Sequence, residues 1–297
     1  MAEEQDDSLA HLISQATGAP WASVIKSHPC SGGCIHEARV VQLSDQRRFF
    51  IKSKKHARQM YAQEAIGLRA LAGNHAVRTP QVIARGPLNP NRDCLVLEAI
   101  LPAAPSPDFW ESFGRGLARL HQSCRADQCG FKYANYLGAN WQPNNWTEDW
   151  VAFFAEYRLT YQLRLACSNS LATAELTSQT QRLIDRLDSL IGNSREQPSL
   201  LHGDLWSGNY LVDEAGQPVL IDPAVYFGHR EAELAMPLLF GGFAPRFFEA
   251  YNEFWPLEDG WQERVGIYQL YHLLNHLNLF GKGYLNSCLE IVRRFTR

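Results

Sequence analysis

The sequence predicts an α+β protein, with a small β-rich N-terminal lobe over residues 1–101 and a larger, mainly α-helical C-terminal lobe over 102–297. The first hundred residues hold mostly apolar runs of strand length, punctuated by turn residues. Pro102, Pro105 and Pro107 then interrupt the chain. Beyond them apolar residues recur at helical spacing, and strands first with helices later is the α+β order. At about 150 residues per domain, a length of 297 residues suits two lobes.

Ala38–Leu43 and Arg47–Ser53 flank the short turn Ser44-Asp45-Gln46 and read as a hairpin. Gln59–Ala72 reads as a helix stopped by Gly73-Asn74. Gln81–Ala84 and Cys94–Ile100 read as two further strands. In the second lobe, Asp108–Cys124 sets Trp110, Phe113, Leu117 and Leu120 on one helical stripe. Trp146–Cys167 and Leu171–Ile191 are further amphipathic segments. The pattern breaks from Pro198 to Pro223, where two short strands surround the turn Asp213-Glu214-Ala215-Gly216, and helices resume near Glu231.

Composition narrows the function. Hydrophobic residues at 45% and charged residues at 20% are ordinary for a globular chain and exclude disorder. With 28 basic and 31 acidic residues the net charge is −3, which supports neither nucleic acid nor a membrane surface as a charge-driven partner. The longest apolar run, Ala235–Ala244, is broken by Pro237 and two glycines and is too short to span a bilayer. The acidic N-terminus lacks the basic and apolar regions of a secretion signal, so a cytoplasmic location is expected. The seven cysteines form no C-x-x-C pair and are expected as reduced thiols. His272 and His276, four apart, lack a third ligand and read as core or capping histidines rather than a metal site. His121 is expected to pack against the 202–209 loop.

The chemistry concentrates in His202-Gly203-Asp204-Leu205-Trp206-Ser207-Gly208-Asn209, followed by Val219-Leu220-Ile221-Asp222. Phosphoryl transfer from a nucleotide needs one carboxylate at the acceptor hydroxyl and oxygen ligands that hold Mg²⁺ against the phosphates. An Asp, an Asn five residues on and a later Asp ending an apolar strand supply those parts. Asp204 is therefore expected as the base, with Asn209 and Asp222 as metal ligands and ATP with Mg²⁺ as the cofactors. Trp206, two residues after the base, is expected as a wall for the acceptor, with His202 also assigned to that site.

Lys52 ends the strand Arg48–Lys52, and Glu64 falls on the helical stripe with Leu68 and Leu71. A carboxylate on an apolar helix face needs a cationic partner, and a strand lysine paired with a helix glutamate positions nucleotide phosphates. Lys54 and Lys55 leave the choice of lysine open. Ser31-Gly32-Gly33-Cys34 precedes the lysine-bearing hairpin, and backbone at Gly32, Gly33 and Cys34 could approach phosphates closely. Backbone groups from Glu98 to Ile100 could meet an adenine edge.

On these residues the chain resembles the fructosamine kinase (ketosamine-3-kinase) family, related to aminoglycoside and choline kinases. Besides the 202–209 and 221–231 stretches, the resemblance rests on Asn135–Gly138, Gln142–Trp150 and Phe153-Phe154-Ala155-Glu156-Tyr157-Arg158-Leu159. It implies a bilobal, protein-kinase-like fold and phosphorylation of the sugar 3-hydroxyl of ketosamines, the Amadori products of glycation. The 3-phosphate then makes the adduct decompose and frees the amine, so the implied role is deglycation, on a small ketosamine or a glycated protein lysine. His36 stands where the family commonly has Asn. The family also suggests a redox-sensitive thiol at Cys34, so the expected monomer has a possible redox-linked homodimer. The same parts would serve a kinase for an aminoglycoside, choline or sugar. The joint presence of Lys52, Glu64, Asp204, Asn209 and Asp222 argues against a non-catalytic nucleotide-binding scaffold.

Overall fold

The structure is a computed structural model that describes residues 2–30, 36–192 and 196–297. Its contacts divide the chain into two compact units, Met1–Phe109 with Tyr210–Asp222, and Trp110–Asn209 with Pro223–Arg297.

The first unit is built on strands β1 (Val24–Pro29), β2 (Glu37–Leu43), β3 (Arg48–Lys55), β4 (Val82–Asn89) and β5 (Arg92–Glu98). They form one antiparallel sheet in the order β1-β2-β3-β5-β4. Strand side chains alternate between faces, and this sheet is covered on both. Phe49, Ile51, Cys94 and Val96 pack with Leu9 and Ile13 of helix α1 (Ala2–Thr17). On the other face Leu95 and Leu97 pack with Tyr61, Ala65 and Leu68 of helix α2 (Arg58–Ala72). Lys52 lies directly opposite Leu95 in the β3–β5 register, so alternation turns it to the α2 face.

Helix α1 and strand β1 are additions to the elements expected from the sequence, which begin at Ala38. The acidic sequence Glu3-Glu4-Gln5-Asp6-Asp7 gives little apolar signal, and α1 is held by few fully buried residues, Leu9, Ala10 and Ile13. The two later strands are longer at their junction than expected. They meet as a hairpin around Pro90-Asn91, where Asn89 Oδ1 accepts the Asn91 N–H at 3.0 Å. The short strands Tyr210–Val212 and Pro218–Leu220 pair antiparallel and group with this unit.

The second unit is mainly helical: α3 (Phe109–Ser123), α4 (Trp150–Phe154), α5 (Tyr161–Ser168), α6 (Ala174–Asp185), α7 (Leu187–Ile191), α8 (Arg230–Phe240), α9 (Pro245–Phe254), α10 (Trp261–Phe280) and α11 (Leu285–Thr296). The segment expected as one helix from Trp146 starts later, where Asp149 caps α4 by accepting the Ala152 N–H at 2.7 Å. Between α4 and α5, Ala155–Thr160 forms a π-helical turn. The segment expected as Leu171–Ile191 is two helices. Helix α10 is buried nearly all round over Ile267–Asn275, as befits the axis of a core. Leu270, Leu274 and Leu277 pack there with Leu163, Leu183, Cys288 and Val292. A hairpin of Asn135–Leu137 with Asn140–Gln142, and the pair Ser199–Leu201 with Tyr226–Gly228, complete the unit.

Among the described residues the cysteines are free thiols, and no helix is long and apolar enough to cross a membrane.

Candidate active site

In the first unit, Lys52 is 5% exposed, and its Nζ donates to Glu64 Oε1 at 2.8 Å and to Asp222 Oδ1 in a closer contact. Alternation turns Lys55 to the opposite face but leaves Lys54 on the same face as Lys52; of these two, Lys52 is the buried one and the one paired with carboxylates. Burial alone would lower its pKa, but the Glu64 and Asp222 carboxylates outweigh burial and hold it above the usual lysine range. Lys52 is therefore a fixed cation. Beside it, His36 is pushed down to about 4 by burial and by Lys52 and Lys54, and its Nδ1 lies 3.2 Å from Tyr61 Oη.

Asp222 follows the strand Pro218–Leu220 and sits in the left-handed backbone region at φ 56°, unusual for a residue other than glycine. The strand is registered by Arg78. Leu220 N–H donates to Arg78 O at 2.8 Å, while the guanidinium spans Asp213 at 2.6 Å and Glu98 at 2.5 Å. Arg78 carries no motif signal in the sequence.

Glu98 is accordingly occupied: its carboxylate also accepts the Gln81 N–H at 3.1 Å, and its own N–H donates to Gln81 O at 2.9 Å. Ile100 is half-buried just beyond β5. Gly32, Gly33 and Cys34 lie outside the described residues.

In the second unit, Ser199–Leu201 delivers the chain to the 202–209 loop. Gly203 has φ 84°, and a Cβ there would lie 2.1 Å from Ala224 O, so only glycine fits this approach. Glu233 of α8, 2% exposed, accepts the Gly203 N–H at 3.1 Å and the His202 N–H in a shorter bond. It thereby clamps the backbone just before Asp204. His121 Nε2 is 3.7 Å from Glu233, and His121 Nδ1 is 2.8 Å from Tyr251 Oη, so His121 supports the loop through Glu233. Burial lowers the pKa of His121 against the pull of Glu233.

Asn209 is 5% exposed, and its Nδ2 donates to Asp204 O at 2.8 Å and to Asp204 Oδ2 at 3.0 Å. One amide thus fixes both the turn and the Asp204 carboxylate. Trp206 is 38% exposed, and a Cβ on Gly208 would lie 2.3 Å from its indole, so the glycine lets the ring lie down over the turn. His202 is a correction. The sequence places it at the acceptor, but it is 0% exposed, and its Nδ1 accepts the Asp204 N–H at 3.3 Å. The ring shapes the loop from inside and has no surface to offer an acceptor.

Glu233 was also missed in the sequence. Its one signal is a carboxylate within the otherwise apolar stretch Ala232–Leu239. The histidine pair is structural: His276 Nδ1 is 2.8 Å from His272 O, within one helix.

Comparison with known proteins agrees with this architecture. The family model described as fructosamine kinase matches residues 5–297. A protein named probable ketoamine kinase, from Synechocystis sp., is 38% identical over 290 residues, covering 98% of this chain and 96% of its own. The chloroplastic protein-ribulosamine 3-kinase of Oryza sativa subsp. japonica is 37% identical over 268 residues, covering 90% of this chain and 77% of its own. The crystal structure of a candidate fructosamine-3-kinase from Thermobifida fusca superposes with a TM-score of 0.86 at 32% identity, covering 97% of this chain and 98% of that one. An aminoglycoside phosphotransferase in ternary complex with AMP-PNP and hygromycin B shares the protein-kinase-like fold, with a TM-score of 0.65 at 16% identity over 96% of this chain and 98% of that one.

Proposed function

Because the chain belongs to the fructosamine kinase family, we propose that it transfers the γ-phosphoryl group of ATP to the sugar 3-hydroxyl of ketosamines. The observation that carries this reading is the doubly held Asp204. Glu233 grips the backbone before it, and Asn209 grips its carboxylate. A carboxylate held this way can take a proton without reorganising.

In the proposed step a bond forms between the sugar O3 and the γ-phosphorus as the bond to the β–γ bridging oxygen breaks. ADP leaves, and the O3 proton passes to Asp204. Lys52, kept charged by Glu64, binds the ATP phosphates, and Gly32, Gly33 and Cys34 with the backbone at Ile100 are proposed as further nucleotide contacts. The carboxylate of Asp222 and the amide oxygen of Asn209 are hard oxygen donors of the kind Mg²⁺ takes, and they are its proposed ligands. Bound Mg²⁺ would neutralise charge on the phosphates. Trp206 flanks the sugar. The acceptor is a small ketosamine or the glycated lysine of a protein, in the cytoplasm.

The test is phosphate transfer from ATP and Mg²⁺ to ribulose-lysine, fructose-lysine and a morpholine ketosamine, beside an aminoglycoside and choline. Transfer confined to ketosamines supports the reading, and transfer confined to the other acceptors overturns the substrate class. Asp204→Asn is expected to lower kcat by about 100-fold or more while leaving ATP binding near the original value.

A further inference from the structure

Arg158 is 0% exposed. Its guanidinium donates to Asn144 Oδ1 at 2.7 Å, to Pro143 O at 2.8 Å and to Tyr157 O at 3.0 Å. It lies 4.0 Å from the ring centre of Tyr226, 4.5 Å from that of Phe153 and 5.5 Å from that of Tyr271. Among the described residues it forms no ion pair with a carboxylate, and its Nε has no hydrogen-bond partner. Burying a cation without a counter-ion is costly, and carbonyl oxygens and π faces only soften that cost. An apolar side chain would fill the same space more cheaply, so packing does not account for the residue.

The backbone is also built to bring Arg158 inward. Phe153 and Phe154 are buried, and the next buried pair is Arg158 and Leu159, five residues on. A regular α-helix repeats its buried face every three or four residues, and the π-helical turn Ala155–Thr160 supplies the extra residue.

The groups that Arg158 holds lead to the base. Pro143 and Asn144 immediately follow Gln142, which is 1% exposed. Gln142 Nε2 donates to Ala224 O at 2.9 Å and to Asn135 Oδ1 at 2.7 Å, and Asn135 Nδ2 donates to Val225 O at 2.8 Å. Ala224 N–H donates to His202 O at 2.8 Å, and Ala224 O is the atom against which Gly203 is fitted. A second path runs through Tyr271, whose ring faces Arg158 and whose hydroxyl donates to Gln142 Oε1. Burial keeps that hydroxyl protonated; Arg158 opposes this, while Asp204, whose charge also reaches it, adds to it. Arg158 thus fixes the backbone directly after Gln142, and its charge faces the ring whose hydroxyl Gln142 accepts.

We infer that Arg158 is a positioning residue for the phosphoryl-transfer step, fixing Asp204 through Gln142 and Ala224. The inference rests on the reading of Asp204 as the base, and it goes beyond that reading by assigning a positioning role to a buried arginine that touches neither Asp204 nor the 202–209 loop.

The experiment compares Arg158→Met, Arg158→Lys and Gln142→Met in the full chain, each also combined with Asp204→Asn. Arg158→Met is expected to lower kcat by about tenfold or more while KM for ATP and for ketosamine stays within about twofold. Arg158→Lys, which keeps the charge, recovers part of that loss, and Gln142→Met reproduces it. In the Asp204→Asn background Arg158→Met costs less than about twofold further, because there is no base left to position. An equal loss in both backgrounds overturns the inference, as does an unchanged kcat in Arg158→Met. Should Arg158→Met fail to fold, Arg158→Lys and Gln142→Met carry the same comparison. If Asp204→Asn itself retains the original rate, the reading of the base fails. If Asp204→Asn is inactive while Arg158→Met and Gln142→Met are fully active, only the present inference fails.

Discussion

Glu233 shows how much of this chemistry is set by a side chain that reaches no substrate. It spends its two oxygens on the backbone N–H groups of His202 and Gly203. Glu233→Gln keeps the shape but puts an NH₂ where one of those N–H groups needs an acceptor. A buried donor left facing a donor costs about 1–3 kcal/mol. We expect a lower midpoint of urea unfolding and a drop in kcat larger than any change in the KM for ATP, both read from the same preparation. Lys52→Met has the complementary signature. It leaves Glu64, raised by burial and otherwise drawn down by Lys52, without its cation, and steady-state kinetics with varied ATP are expected to show a raised KM for ATP. The Lys52–Glu64 pair is legible because a strand lysine and a carboxylate on an apolar helix face call for each other, whereas the contact of Lys52 with Asp222, expected as a metal ligand, is not. Glu233 and Arg158 are not, because their partners are backbone groups, carbonyls and rings that no motif spacing records, and Arg78 is not, because its carboxylate partners Glu98 and Asp213 lie far along the chain in no motif.

Whole elements follow the same rule. Helices with a wide apolar stripe, such as α3 and the central α10, are visible in the residues themselves. Helix α1 is not, because its buried face is narrow and its first turns are acidic. The π-helical turn escapes for a different reason: one added residue leaves the apolar content unchanged and shifts only its phase. Close packing between helices is testable at Gly114. A Cβ there would lie 2.2 Å from Phe247 O, so α3 and α9 meet backbone to backbone. Gly114→Ala forces them apart and should cost about 1–3 kcal/mol, despite alanine's better helix propensity. A variant as stable as the original in urea would show that the two helices yield without cost.

Across the molecule, buried histidines couple stability to acidity. Burial, with His276 and Arg158 adding, lowers His272 to about 3, against an ordinary value near 6.5. A folded-state value below the unfolded one means that the unfolded chain binds more protons between the two. Stability is therefore fully present above pH 6.5 and is lost as pH falls, down to about pH 3. In the middle of that window His272 alone contributes a slope of about 1.4 kcal/mol per pH unit. Urea unfolding of His272→Asn at pH 7 and pH 5 should show a slope shallower by about one proton than the original chain. His36, His121 and His229 are lowered in the same direction, chiefly by burial, so the original chain should be markedly acid-sensitive.

The division of the chain carries a consequence for how it is made. The unit that opens the sequence is discontinuous: it closes only when Tyr210–Asp222 joins Met1–Phe109. Until that segment emerges from the ribosome, Arg78 lacks its Asp213 partner and Lys52 lacks Asp222. The nascent first unit therefore waits, unfinished, while about a hundred residues of the other are synthesised, since domains are completed as their parts appear. Its late contacts are of high sequence separation, the slow kind in folding. Separately expressed Met1–Phe109 should accordingly be more susceptible to protease than the same residues in the full chain, and co-expression with a Tyr210–Asp222 peptide should restore part of the protection.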